Sequence, residues 1–294
     1  NVSLTGALGR SFYNCKVLAN LPTLDLSRIT SASESFAGCK ALTYDQMKFI
    51  MSKLSNCTNF TWTFINCDNI THDGWEKSLF DSIPKATYFY YTFSGTPISG
   101  QLEQGIFDSM TNLQTIDGLF SGGKATGYIP SNLFKYNTKL QIVGNLFSGC
   151  TQLEVANNIN SMFTTTTDLR EIWGLFDGCT NLLEIKPLTN TFNTIDYMFN
   201  NCNNLLDVDM SNVSFGNCTS ATYMCNGCSK FTKTPITIIP DTCTNISYLF
   251  ANSGITDISG MTFGSGISNF TSWVSPKMTT ANNVTVKCSQ LLFK

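Results

Sequence analysis

The chain is 294 residues long with a formal net charge of −2, and only 13% of its residues are charged. That balance leaves no basic footprint for nucleic acid, and no apolar run reaches the roughly 18 residues that a membrane-spanning helix needs. Asn, Thr and Ser replace the missing charge, in runs such as "TTTT" (164–167) and "NNCNN" (200–204). This composition leans toward a secreted, cell-surface or virion protein. The chain begins at Asn1, without Met or a charged-then-apolar leader, and is read as a processed form, a fragment or the ordered part of something longer.

In chain order, an aromatic residue followed three positions later by a small one recurs throughout. Phe12, Phe36, Phe64, Phe93, Phe120, Phe147, Phe176 and Phe199 carry the series, which Cys225 and Phe250 continue. The ten copies span 238 residues in nine steps, about 26 per step. Such a period marks a solenoid of the leucine-rich-repeat size class. A half-phase motif lies between many copies, as in "GIFDSMTNL" (105–113), "NLFKYNTKL" (132–140) and "IPDTCTNI" (239–246). Short alternating runs such as "LLEIKPL" (182–188) and "LLDVDM" (205–210) predict strands with one buried face. The "GLF", "YMF" and "YLF" segments predict a short helical turn ended by Gly or Asn. Each unit is then strand, loop and turn, able to bury its apolar face only by stacking on its neighbours. The expected fold is an α/β repeat solenoid over 1–260, with 261–294 as a C-terminal cap or junction because the period fades there.

Three residues after the aromatic position stand Cys15, Cys39, Cys67, Thr96, Gly123, Cys150, Cys179, Cys202, Cys228 and Ser253. A metal ligand or a half-cystine could not be exchanged for Gly or Thr, whereas a tight packing slot accepts any small side chain. The slot is therefore read as structural, with no metal and no cofactor. Cys57, Cys218 and Cys243 belong to half-phase units, Cys225 replaces the aromatic residue, and Cys288 lies in the tail. "CNGC" (225–228) has the form of a CxxC, but both cysteines are in register with the repeat and no second ligand pair lies near at zinc-site spacing. Twelve cysteines without disulfide-style spacing point to folding in a reducing or anaerobic setting.

The units "IPSNLFKYNTKLQIVGNLFSGCTQL" and "TIDYMFNNCNNLLDVDMSNVSFGNCTSATYMCNGC" resemble the BspA-like class of leucine-rich repeats, whose signature is Phe-x-x-Cys-x-x-Leu. The resemblance covers about Ser11 to Gly260 and is poorest from Phe93 to Lys124. It implies cell-surface adhesion and host-protein binding in bacteria and some protozoa, or attachment in virion proteins of phages of gut bacteria. The signature is structural, so no binding residue carries over from it.

Chemistry-bearing residues are few. The single histidine, His72, lies beside Asp73 and Glu76 in "THDGWE" (71–76), a cluster that reads as solvated rather than catalytic. Neither GxSxG, a Walker A sequence nor GxGxxG occurs. Glu171, Glu184, Asp207 and Asp209 fall on or beside successive predicted strands, where stacking would align them on an exposed face. Together with Trp173 and Lys186 they form the expected recognition surface for a protein or glycan receptor. The alternatives are a glycan-cleaving enzyme using paired carboxylates, and a structural spacer in a larger assembly. Asn56, Asn59, Asn69, Asn212 and Asn245 head sequons that matter only in a eukaryotic secretory pathway.

Overall fold

The structure is a computed structural model that describes residues 2–19, 24–130, 132–153, 162–163, 165–185, 192–208 and 215–288. It is a leucine-rich-repeat-like parallel β-solenoid. The first ladder begins with β1 (Val2–Ala7) against β2 (Leu24–Ser31). It continues through single bridges at Asn59 and Tyr88 into β4 (Tyr88–Tyr90), β6 (Thr115–Asp117), β7 (Ile142–Gly144) and β8 (Glu171–Trp173). Bridges at Thr194, Ser220, Asn245 and Asn269 extend it. From Ala7 to Asn269 the ladder takes ten steps over 262 residues, about 26 per step.

A second parallel ladder forms at a different point of each coil. It contains β3 (His72–Trp75) with β5 (Ile98–Leu102), and β9 (Glu184–Ile185) with β10 (Asp207–Val208). It ends in β11 (Ile238–Ile239), β12 (Thr262–Phe263) and β13 (Thr285–Val286). Both ladders thus run past Gly260, so the 261–294 segment stacks its described residues on the same solenoid.

The segments around the aromatic slots differ from the helical turn expected of them. In the coil at Phe36, the amides of Glu34, Phe36 and Gly38 donate to Thr61, Thr63 and Ile65 of the next coil. Those of Ser35, Ala37 and Cys39 instead close three-residue turns on Ala32, Glu34 and Phe36. A helix would consume every amide within its own coil. This arc sends alternate amides to the neighbour and keeps the ladder continuous around the bend. It requires left-handed backbone immediately before the slot, and Asn14, Gly38, Asn66, Gly149, Asn201, Gly227 and Asn252 have φ between 54° and 74° there, a conformation that Gly and Asn adopt most readily. Two helices are described: α1 (Tyr44–Lys53), started by a capping box of Thr43 and Gln46, and the short α2 (Lys77–Asp81).

The interior is a stack of rings. Phe12, Phe36, Phe64 and Phe93 lie face to face at 5.0, 5.6 and 5.9 Å, as do Phe120, Phe147, Phe176 and Phe199 at 5.8, 5.8 and 6.1 Å. A second column joins Phe107, Phe134 and Phe163 at 5.4 and 5.6 Å. Each slot cysteine adds a bond between coils: the thiols of Cys39, Cys67, Cys150, Cys179, Cys202 and Cys228 donate to the carbonyl of the aromatic-slot residue one coil earlier, at 2.9 to 3.1 Å. Thr96 and Ser253 turn their hydroxyls back to their own coil. All twelve cysteines are free. Burial raises the thiol pKa, to about 11 at Cys39 and Cys57 and about 12 at Cys67.

Cys179→Ser keeps a small donor in reach of the Phe147 carbonyl, so it is expected to cost less than about 1 kcal/mol. Cys179→Leu overpacks a filled slot and is expected to cost about 1–3 kcal/mol. Equal losses in urea unfolding of the two variants would assign the thiol a chemical role instead.

The region from Phe93 to Lys124, where the repeat is weakest, is held by a different device. Thr96 and Gly123 leave two consecutive slots without cysteine, and Trp75 inserts its ring between Phe93 and Phe120 at 5.5 and 4.7 Å. The Trp75 indole N–H donates to the Lys124 carbonyl at 3.1 Å. The Lys124 ammonium, itself buried, reaches back to the Thr96 carbonyl and hydroxyl. Burial lowers its pKa to about 8.

Candidate functional site

The expected surface residues divide between the two ladders. Glu171 and Trp173 sit on β8 of the first ladder, at alternate positions and so on one face. Glu184 and Asp207 are register partners on β9 and β10 of the second ladder. The acidic residues therefore fall into two separate groups rather than one row. Lys186 and Asp209 lie outside the described residues.

His72, Asp73 and Glu76 act as a fastening. The His72 ring stacks on Tyr44 of α1 with 3.8 Å between centroids, and its Nε2 lies 3.1 Å from Glu76. Lys48 of α1 pairs with the same Glu76 carboxylate, whose pKa is lowered chiefly by that hydrogen bond. Asp73 is exposed. Among the described residues, no three His, Cys, Asp or Glu side chains gather as a metal site would need, and no helix is long and apolar enough to cross a membrane.

The outer face of the first ladder carries the more distinctive chemistry. Along β4, β6, β7 and β8 the middle residues Phe89, Ile116, Val143 and Ile172 are buried. Two columns flank them: Tyr88, Thr115, Ile142, Glu171, which reach solvent, and Tyr90, Asp117, Gly144, Trp173, in which Asp117 and Gly144 are buried between the two rings. A third column stands two residues before each aromatic slot from Phe64 to Phe250, with Trp62, Tyr91, Gly118, Asn145, Gly174, Tyr197, Tyr223 and Tyr248 in succession, all at positive φ from 44° to 60°; Glu34 has the same backbone before Phe36.

Glycine and asparagine accept that backbone easily, whereas a bulky ring there costs of order 1 kcal/mol or more. The sequence nevertheless places an aromatic residue at five of these eight positions. Trp62, Tyr88, Tyr90 and Tyr197 are each about 40% exposed. Tyr197, Tyr223 and Tyr248 stack at 4.9 and 4.4 Å, covering one another's faces and leaving their edges to solvent.

Between these aromatic ends the face is low. The Tyr91 ring lies over Gly118, with its nearest atoms 2.6–2.8 Å from where a Cβ would stand, and Trp173 lies likewise over Gly144 at 2.5–2.7 Å. Any side chain larger than hydrogen at either glycine would lift the ring off the sheet. Asn145 donates to the Asp117 carboxylate at 3.2 Å, and burial raises the pKa of Asp117. Next to this face Asn200 donates to Asp177, Asn226 to Asn200 and Asn252 to Asn226, at 2.8, 2.8 and 3.1 Å. The result is a line of amides along successive coils.

Of this face, sequence reasoning found Glu171 and Trp173 and missed the tyrosines. The signal was present as "TWTF", "YYTF", "DYMF", "TYMC" and "SYLF", in each of which an aromatic residue stands two before the slot.

No protein-family model matches the chain, and no curated protein is similar to it. Among solved structures it is similar to a leucine-rich repeat protein from Bacteroides ovatus, at 12% identity over 95% of this chain and 78% of that one, with a TM-score of 0.35. A likeness of that size leaves the fold resting on the chain's own two ladders.

Proposed function

We propose that the chain is a non-catalytic recognition solenoid, displayed on a bacterial surface or a virion, that binds a receptor through the outer face of its first ladder. The observation that carries the reading is the series of aromatic residues on left-handed backbone, with Trp62 and Tyr197 exposed and Tyr91, Tyr223 and Tyr248 half-buried, where smaller residues would fold with less strain. Strain retained at a surface position points to use of that position, and rigid aromatic anchors are the usual source of binding energy. The separation of Glu171 from Glu184 and Asp207 onto different ladders supports recognition over cleavage by one acidic row. Attachment through a surface or virion protein is what the BspA-like resemblance implies.

The test is binding of the labelled chain to intact bacterial and epithelial cells. Saturable binding that falls at least tenfold in the folded triple variant Trp62→Ala, Tyr90→Ala, Tyr197→Ala is expected. Non-saturable binding, or equal binding by the triple variant, would remove the proposal.

A further inference from the structure

Resting on the recognition reading, we infer that the face between Tyr91 and Tyr197 binds a linear polysaccharide of low charge, laid along the solenoid axis. Four rungs separate these two tyrosines in the third column, at Gly118, Asn145, Gly174 and then Tyr197 itself. At the usual strand spacing that is about 19 Å. An extended sugar chain advances by nearly one ring per rung, so a ligand of about four units meets an equivalent position on every coil.

Both kinds of contact that such a ligand needs are in place. The rings of Tyr91 and Trp173 rest with one side on the backbone of Gly118 and Gly144. Both rings stay half-exposed there, Tyr91 with the Tyr90 ring edge-on at 5.0 Å, and aromatic rings so held supply the apolar contact for the C–H groups of a pyranose. Beside them Thr115, Asn145 and Glu171 offer hydroxyl, amide and carboxylate groups to the sugar hydroxyls, and Tyr88 already donates to Gln114 at 2.8 Å along one edge. Few charges lie on this face, which suits a ligand whose polar groups are neutral. At the far end, the Tyr197–Tyr223–Tyr248 stack presents ring edges rather than faces, which ends the platform and offers hydroxyls at the next rungs.

The experiment is calorimetric titration of the intact chain with di- and hexasaccharides of β-1,4-glucan, β-1,4-xylan and β-1,4-linked N-acetylglucosamine, and with an α-1,6-mannan hexasaccharide. At least one hexasaccharide is expected to bind at least tenfold more tightly than its disaccharide. Trp173→Ala and Tyr91→Ala, each checked for an unchanged melting transition, are expected to weaken it tenfold or more. Absence of binding by every hexasaccharide, affinity independent of length, or full affinity in both variants would overturn the inference. The cell-binding assay separates the two proposals. Binding that is abolished by protease and untouched by periodate oxidation of the cells would leave recognition standing and remove the polysaccharide. Loss on periodate treatment would support both.

Discussion

Raising the pH from 8 to 10 is expected to lower the stability of this chain by several kcal/mol. The cause is the row of buried thiols. An unfolded cysteine ionises near pH 8.5–9, whereas Cys39 and Cys57 hold their protons to about 11 and Cys67 to about 12. For an acid whose folded pKa is raised, the folded state binds more protons throughout the interval between the two values. Stability is therefore fully present below about pH 9 and is lost as pH rises toward 11 or 12. At pH 10 the loss is about 1.3 kcal/mol per thiol, or about 4 kcal/mol for these three. Cys150, Cys179, Cys202 and Cys225 are raised by burial as well and add to it.

Lys124 acts in the opposite direction. Its folded pKa is lowered from 10.5 to about 8, so its penalty is relieved between those values, returning about 2 kcal/mol by pH 10. One amine does not offset the thiols. Urea unfolding at the two pH values, under reducing and oxygen-free conditions, reads the difference directly. A midpoint that holds steady or rises would show that the thiols are open to solvent. Cys39→Ser and Cys67→Ser should each flatten the dependence.

Trp75→Ala is expected to cost about 3–5 kcal/mol, a large share of the whole stability of a folded chain. The Trp75 ring is 1% exposed and is the link between the two halves of the phenylalanine stack. Its loss removes that contact, leaves the Lys124 carbonyl with the Gly100 amide but without the indole donor, and loosens the backbone from which the buried Lys124 ammonium reaches Thr96. In a solenoid each coil is held mainly by its neighbours, so the weakened step between Phe93 and Phe120 should let the two sides unfold separately. Calorimetry should show a melting transition lowered by at least about 5 °C and broadened or split. Trp75→Phe, which keeps an aromatic ring but not the indole N–H, should fall between the two. A single sharp transition within about 2 °C of the parent would mean that the stack does not depend on this ring.

The period, the strand positions and the inward direction of the slot residues were legible in the sequence because they follow from local pattern. Phe, a small residue and Leu recur at fixed spacing, and any chain with that pattern must stack to bury them. Gly or Asn stands before the slot in all ten copies and was read as the end of a helical turn; the structure uses those residues for the left-handed step of the arc. Continuation of the coils beyond Gly260 was not, because Phe263 and Trp273 keep the packing without keeping the motif; they pack edge to face at 4.9 Å.

The helical turn was misread for a different reason. Hydrophobic spacing cannot show whether an amide bonds within its coil or to the next one, and in this chain alternate amides do each. The same limit governs the surface. Sequence placed Glu171 and Trp173 on a strand face, but only the register of the stacked coils shows that Glu184 and Asp207 belong to another ladder, that Trp75 bridges two phenylalanines far from it in the chain, and that rings some 25 residues apart form one continuous face. Those relations depend on how coils of unequal length fall into register. Unequal loops, helices and arcs set that register together, so it is decided by the whole solenoid and by no single repeat.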